Sequence, residues 1–147
     1  MVKDYEDHDL KGPTALAYNK EDNILFIADG GNFMETQLYP LEGSVYVIDL
    51  DSRIMRPILD KCISYPADIL YDNKRGNLFI ADTFNNRIIR LCQNPVGVYN
   101  ASVFHQFNGR VGPTALALDE LGNLYVGRYE FQMVNKFLFV FCNIYFL

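Results

Sequence analysis

Short apolar runs separated by polar turns recur along most of the chain. The stretch "GPTALAYNKEDNILFIAD" (Gly12 to Asp29) aligns without a gap with "YPADILYDNKRGNLFIAD" (Tyr65 to Asp82), and a third copy, "GPTALALDELGNLYVG", begins at Gly112. Each copy holds two apolar runs that are short and bounded by turn residues, which is typical of β-strands. The pattern therefore predicts an all-β chain built from internal repeats.

The repeat length predicts the blades of a β-propeller, which take about 40 to 50 residues and four antiparallel strands each. In the first unit, residues 12–64, we predict strands at Thr14–Tyr18, Asn23–Ala28, Ser44–Leu50 and Arg53–Leu59. In the second unit, residues 65–111, we predict strands at Ala67–Tyr71, Asn77–Ala81, Arg87–Leu91 and Ala101–Phe107. The third unit, residues 112–133, shows only "TALAL" and "NLYVG". The predicted fold is a partial β-propeller of about two and a half to three four-stranded blades.

The segments that flank the repeats differ from them. Residues 1–11 are acidic, and residues 134–147, "VNKFLFVFCNIYFL", follow none of the earlier spacing. One hypothesis is that the gene model reads into non-coding sequence after about Gln132. The alternative is that "KFLFVF" forms a third strand of the last unit, because its β propensity is high.

Charge and cysteine content exclude several classes of function. The net charge of the 147 residues is −5, and the 13 Lys and Arg do not cluster, which argues against a nucleic-acid partner. No apolar run is long enough to span a membrane. The three cysteines Cys62, Cys92 and Cys142 are odd in number and form no CxxC pair, so we predict buried, reduced thiols in a cytoplasmic protein.

The turn after the second strand of the second unit reads "DTFNNR". We predict that Asp82 marks the point where this strand meets solvent. Asn85 and Asn86 tolerate left-handed dihedral angles and are expected to bond their own backbone. Arg87 is expected to pair with Asp82. Because Asp29 repeats Asp82 in the first unit, a structural role for these residues is favoured over a catalytic one.

The segment "PADILYDNKRGNLFIADTFNNRIIRL" resembles an NHL-repeat blade, with its Pro, its Gly-Asn-Leu and Ala-Asp elements and its Asn-Asn-Arg-Ile turn. The resemblance covers residues 12–128 and extends to the wider group of six-bladed propellers, which includes gluconolactonase-like, strictosidine-synthase-like and peptide-amidating-lyase proteins. It implies a propeller of about six blades around a central channel. About half of such a propeller is present in this sequence.

In gluconolactonase-like proteins, the resemblance implies a metal held by Glu, Asn and Asp near the channel, often just after the Pro that opens a blade. Here those positions hold Thr14, Ala67 and Thr114, which are poor ligands for a hard cation. Asp68 lies one position further on and is expected to face the other way. We therefore predict no metal site, no cofactor and no catalytic residue in these blades.

The long link "DGGNFMETQLYPLEG", Asp29 to Gly43, is the candidate binding site. It displays four apolar or aromatic side chains, either for a partner or to cover the neighbouring blade: Phe33, Met34, Leu38 and Tyr39. A second link, Cys92–Asn100, is expected to share that surface. We predict a binding or scaffolding module for a protein partner or a second copy that covers the open blade edge. The alternative is a fragment of a metal-dependent hydrolase whose site lies in missing blades.

Overall fold

The computed structural model describes residues 10–32, 42–95, 97–109, 112–130 and 138–144, with side chains described through residue 128. Within these ranges the regular secondary structure is β-strand, joined by turns and links. The first sheet holds β1 (Pro13–Asn19), β2 (Ile24–Asp29), β3 (Gly43–Asp49) and β4 (Ile54–Ile63). The second holds β5 (Pro66–Asp72), β6 (Asn77–Asp82), β7 (Arg87–Gln93) and β8 (Tyr99–Gln106). The third holds β9 (Gly112–Leu118), β10 (Leu124–Glu130) and β11 (Leu138–Ile144).

Each sheet is an antiparallel meander whose strands pair in chain order, β1-β2-β3-β4, β5-β6-β7-β8 and β9-β10-β11. The prediction of an all-β, propeller-like fold is confirmed, and most predicted strands are correct to within two residues at each end. The fourth strand of the first blade is longer than predicted, because it continues beyond Leu59 to Ile63. In the third sheet, Leu138–Ile144 forms a third strand against β10, as in the alternative interpretation of the tail.

The first and second sheets pack face to face through an apolar core. The second strands of the first two blades are apolar except at their ends, because both of their faces are covered. From the first blade the core takes Phe26, Val45 and Val47, and from the second it takes Ile69, Leu78, Ile80 and Leu91. Full burial of each such side chain contributes about 1.5–3 kcal/mol, so this joint holds the two blades together.

A second joint of the same kind links the second and third blades. It buries Phe79, Ala81 and Ile88 against Leu124 and Val126. Polar groups reinforce both joints at the inner strands. The Thr14 hydroxyl of the first blade donates to the Pro66 carbonyl, and the Thr83 hydroxyl donates to the Pro113 carbonyl at 2.7 Å. The blades therefore stand side by side in sequence order, with β1, β5 and β9 innermost.

The described cysteines are free thiols, and one of them is not where the sequence predicted. Cys62 is exposed and Cys92 is half-buried, so the prediction of a buried thiol is wrong for Cys62. Side chains alternate along a strand, and on β4 it is Ile63 that turns into the core. The side chain of Cys142 lies outside the described residues.

The two long links leave from opposite ends of the blades. The β2–β3 link corresponds to the β6–β7 turn of the second blade, whereas residues 94–98 join β7 to β8 at the other end. Because residues 33–41 of the first link lie outside the described residues, a surface shared by the two links stays a prediction. Asn94 closes the shorter link by accepting a hydrogen bond from the Val98 amide at 2.9 Å. Within the described ranges no helix is long and apolar enough to cross a membrane.

Candidate functional site at the channel mouth

One end of the three blades gathers the starts of the innermost strands and the ends of the second strands. The register pairs Pro13 with Asp29 and Pro66 with Asp82. In the third blade the same position pairs Pro113 with Arg128. We call this end of the molecule the channel mouth. It consists of the starts of β1, β5 and β9, the ends of β2, β6 and β10, and the links that adjoin them.

In the first blade, Asp29 organises the mouth through backbone amides. Its buried carboxylate accepts hydrogen bonds from the amides of Gly12 at 2.9 Å, Lys11 at 2.8 Å and Gly31 at 2.7 Å. A carboxylate buried this completely needs such donors, because desolvation disfavours its charge. Asp29 therefore fixes both the chain that enters β1 and the chain that leaves β2.

In the second blade, Asp82 performs the equivalent task with a cation added. It accepts a hydrogen bond from the Ser64 amide at 2.7 Å and others from the Asn85 side-chain amide at 2.9 and 3.1 Å. The predicted ion pair is present, with Arg87 Nε 2.7 Å from the Asp82 carboxylate. The prediction that Asp82 meets solvent is wrong: it is 0% exposed, because the Ser64 link and Arg87 close over it.

The two asparagines of this turn have separate tasks. Asn86 takes the predicted left-handed conformation, with φ of 56°, whereas Asn85 does not. The prediction that both bond their own local backbone is wrong. Asn85 donates to the carboxylate of Asp82, and the Asn86 side chain donates to the carbonyls of Phe107 at 3.0 Å and Gly109 at 2.7 Å. The turn is thereby tied to the link that leads into the third blade.

Arg128 takes the equivalent position in the third blade. Its guanidinium lies 4.4 Å from the centre of the Phe107 ring and donates to the Asn108 carbonyl at 3.0 Å. The contact is a cation–π interaction with the link that enters this blade. All three equivalent residues therefore fasten the link before β1, β5 or β9, although the third carries the opposite charge.

The residues that follow the opening prolines offer little to a metal ion. The hydroxyl of Thr14 donates to backbone carbonyls, the hydroxyl of Thr114 donates to the Gly127 carbonyl at 3.3 Å, and Ala67 has no polar atom in its side chain. Among the described residues, no group of three or more His, Cys, Asp or Glu is arranged to hold a metal ion. The metal site implied by the gluconolactonase-like resemblance does not fit this part of the chain.

Asp68 lies near the start of β5, the innermost strand of the second blade. A β-bulge lies between Pro66 and Asp68, and the carboxylate accepts hydrogen bonds from the amides of Leu116 at 2.7 Å and Ile69 at 2.9 Å. It therefore bridges β5 to β9 across the inner wall. Burial raises the pKa of Asp68, and the hydrogen bonds from these two amides oppose that rise.

Two aromatic rings at the mouth were missed by the sequence analysis. Tyr65 and Phe84 are stacked, with ring centroids 5.3 Å apart and ring planes at 30°. The Thr83 amide donates to the Tyr65 carbonyl at 3.3 Å, and the Phe84 amide donates to the Ser64 carbonyl at 3.1 Å. These bonds continue the β5–β6 ladder past Pro66 and bring the rings together above it. We call Tyr65 and Phe84 the mouth aromatic pair.

The residues predicted to form a binding site in the β2–β3 link, Phe33, Met34, Leu38 and Tyr39, lie outside the described residues. The mouth aromatic pair could have been found from the repeat itself. Its two positions align with Gly12 and Gly31 of the first unit, so the second unit departs from the first at both.

Comparison with solved structures places this geometry among the propellers. The chain aligns with a luciferin-regenerating enzyme at a TM-score of 0.63 and 15% identity, covering 88% of this chain and 45% of that one. It aligns with a protein from Lactobacillus plantarum at a TM-score of 0.57 and 14% identity, covering 90% and 42%. The chain has a β-propeller fold. A protein described as a putative oxidoreductase (glucose dehydrogenase) from Thermus thermophilus gives 0.55 and 19%, covering 78% and 37%.

One curated relative matches the propeller chain in sequence. It is the lactonase drp35 of Staphylococcus haemolyticus (strain JCSC1435), 27% identical over 115 residues, or 74% of this chain and 35% of that protein. The chain thus spans about a third of this relative and less than half of each solved neighbour. No family model matches the chain, and its likeness to NHL repeats stays a prediction.

Proposed function

We propose that the chain forms part of the channel wall of a lactone-hydrolysing β-propeller. The observation that carries the proposal is the sequence match to a lactonase over 74% of the chain. The propeller fold supports it, because such folds place their sites where the innermost strands meet at a channel. The proposal adopts the hydrolase alternative of the sequence analysis in place of its binding-module prediction.

In this proposal the described blades supply the wall and the rim of the site. Thr14 and Asp68 join neighbouring innermost strands, and Thr83 joins the end of β6 to β9, so the channel end of each blade is held in place. The ligands of a catalytic metal would come from residues other than those described, because no suitable cluster is present among the latter. The role of the described residues in this proposal is to hold and orient a substrate ring at the channel mouth.

Two measurements test the proposal. The native length is measured first, by immunoblot from source cells, against the 16.9 kDa of this chain. The protein at its native length is then assayed for hydrolysis of D-galactono-1,4-lactone before and after EDTA treatment, and after Ca²⁺ is restored. We expect hydrolysis that EDTA abolishes and Ca²⁺ recovers. Hydrolysis no faster than the spontaneous rate would contradict the proposal.

An interaction module is the second candidate, and one surface favours it. On the face of the third blade that points away from the second, Ala115 and Ala117 are exposed and Tyr125 is 39% exposed. In the first two blades the equivalent face is covered by the next blade. A second copy or a protein partner would cover it here. Sedimentation of the unaltered chain and of the Tyr125→Glu variant tests this. We expect the unaltered chain to self-associate and the variant to remain monomeric.

A further inference from the structure

The mouth aromatic pair lies where the internal repeat is broken. Features that hold the first two blades together recur in both copies, as the buried aspartates Asp29 and Asp82 do. The backbone ladder also recurs: the Gly30 amide donates to the Gly12 carbonyl at 2.8 Å, as Thr83 does to Tyr65. The side chains do not recur. The first blade completes the same ladder with two glycines, so the blade does not need aromatic rings at these positions.

The backbone at Tyr65 is strained, and the repeat does not impose the strain. Tyr65 has φ of 55°, a left-handed conformation that non-glycine residues rarely adopt. It also precedes a proline, which favours extended backbone. Gly12 and Gly112 occupy the equivalent position without a left-handed φ. Strain that is local to one blade and lies at a channel mouth is the kind associated with functional sites.

The ring of Tyr65 reaches across the joint to the first blade. A Cβ atom on Gly30 would lie 3.3 Å from Tyr65 Cδ2 and 3.4 Å from Thr14 Cγ2, so a glycine at this place lets the three groups close up. Phe84, on the other side of the pair, is 39% exposed. Thr14 lies near the start of β1 and Thr83 directly precedes Phe84, and the hydroxyl oxygen of each can still accept a hydrogen bond.

We infer that the mouth aromatic pair is a stacking subsite for a carbohydrate-type ring, the cyclic part of a polyhydroxy lactone. Such a ring has an apolar C–H face that packs on aromatic rings and hydroxyl groups that bond to neighbouring polar atoms. An exposed Phe beside a Tyr and two threonine hydroxyls offers both. The inference rests on the proposed function for the choice of a lactone, whereas the pair itself would hold any ring of this kind.

The test measures binding separately from hydrolysis. Titration calorimetry or ligand-observed NMR on the full chain uses two probes, methyl β-D-glucopyranoside and D-galactono-1,4-lactone. Tyr65→Gly removes one ring and inserts a residue that accepts the left-handed backbone, while Phe84→Gly removes the other. Each is expected to raise the dissociation constant of both probes by about tenfold. Phe84→Tyr, which keeps a ring, should bind as the unaltered chain does.

The matched control is Leu121→Ala, which truncates an apolar side chain that is 81% exposed in the β9–β10 turn, at the end opposite the mouth. It should leave both dissociation constants unchanged. The inference is overturned if the unaltered chain binds neither probe, or if Leu121→Ala weakens binding as much as the two glycine variants do. If binding depends on the pair and hydrolysis is absent, the subsite stands and the proposed function fails. If hydrolysis occurs and both glycine variants bind the probes normally, the proposed function stands and the stacking subsite is overturned.

Discussion

The first and second blades follow one backbone plan at the channel mouth and complete it differently. Among the described residues, the first binds Asp29 through backbone amides and has glycines at its rim. The second uses Asp82 with an arginine and carries two stacked aromatic rings. The comparison separates what these two blades share, a buried aspartate that fixes the entering link, from what only one of them carries.

The largest effect should come from the two buried aspartates. Asp82→Ala would leave Arg87 without its partner in a site where the aspartate is wholly buried, and we expect a loss of about 3 kcal/mol in unfolding free energy. Asp29→Ala leaves backbone amides, and no side-chain cation, without their acceptor, so we expect a smaller loss of about 2 kcal/mol in unfolding free energy. Urea unfolding of both variants checks the order. An equal or larger loss for Asp29→Ala would mean that the cation adds nothing.

The rim glycines should resist substitution more than the rim aromatics do. Gly31 has φ of 74°, and a Cβ there would lie 2.8 Å from the Glu42 carbonyl oxygen. Gly31→Ala should therefore cost about 2 kcal/mol, from backbone strain and the clash together. Phe84→Ala should cost less than about 1 kcal/mol, because the ring is partly exposed. Thermal unfolding of the Gly31→Ala and Phe84→Ala variants compares the two losses. Similar losses would contradict the distinction between glycines that the fold requires and aromatic residues that are available for binding.

The third blade extends the comparison with a smaller effect. Arg128→Ala removes the cation–π contact with Phe107 and the hydrogen bond to the Asn108 carbonyl. Because the site is partly open to solvent, we expect a loss of about 0.5–1 kcal/mol. Urea unfolding measures it. A loss as large as that of Asp82→Ala would show that the position matters more than the ion pair.

The smallest effect is a change in pH dependence. Burial raises the pKa of Asp68, so the folded chain binds a proton there more tightly than the unfolded chain does. The stability that Asp68 contributes is therefore full below its ordinary pKa of about 4 and is lost as pH rises through the higher folded value. The unfolding free energy of the unaltered chain relative to Asp68→Asn should fall over that range.

Asp119 provides the matched control with the opposite sign. Hydrogen bonds from the side chain and amide of Asn123 lower the pKa of Asp119. Its contribution is present above the ordinary pKa and is lost as pH falls through the lower folded value. Asp119→Asn should therefore reverse the slope found with Asp68→Asn. Equal slopes for the two variants would contradict the assigned burial of Asp68.

Local sequence was enough to predict the strands and the ion pair. Periodicity and turn residues mark strands over a few positions, and Asp82 lies close in sequence to Arg87. The complete burial of Asp82 was not predictable in this way, because the Ser64 amide that covers it is 18 residues distant. The exposure of Cys62 depends on the alternation of an edge strand whose length was underestimated.

The candidate site was harder to predict than the fold. The β-bulge beside Asp68 could not be predicted from the alternation of apolar and polar residues. It occurs where the Asp68 carboxylate accepts a hydrogen bond from Leu116 of β9. The rings of Tyr65 and Phe84 lie on different strand ends and meet only once the ladder extends past Pro66. The sequence signal for these rings was a mismatch between two copies of the repeat, since Tyr65 and Phe84 align with glycines in the first copy.

The meander order of the strands has a consequence for how this chain folds as it is made. Every described sheet is completed by strands that follow one another, and each blade packs on the blade synthesised just before it. Strand pairs within a blade therefore join segments that follow one another in sequence, and contacts between blades join neighbouring repeats. A blade can form while the next is still in the ribosome. The apolar face that the next blade will cover then stays exposed until about 50 further residues have been synthesised. The joints between blades are therefore where a slow or interrupted synthesis would aggregate first.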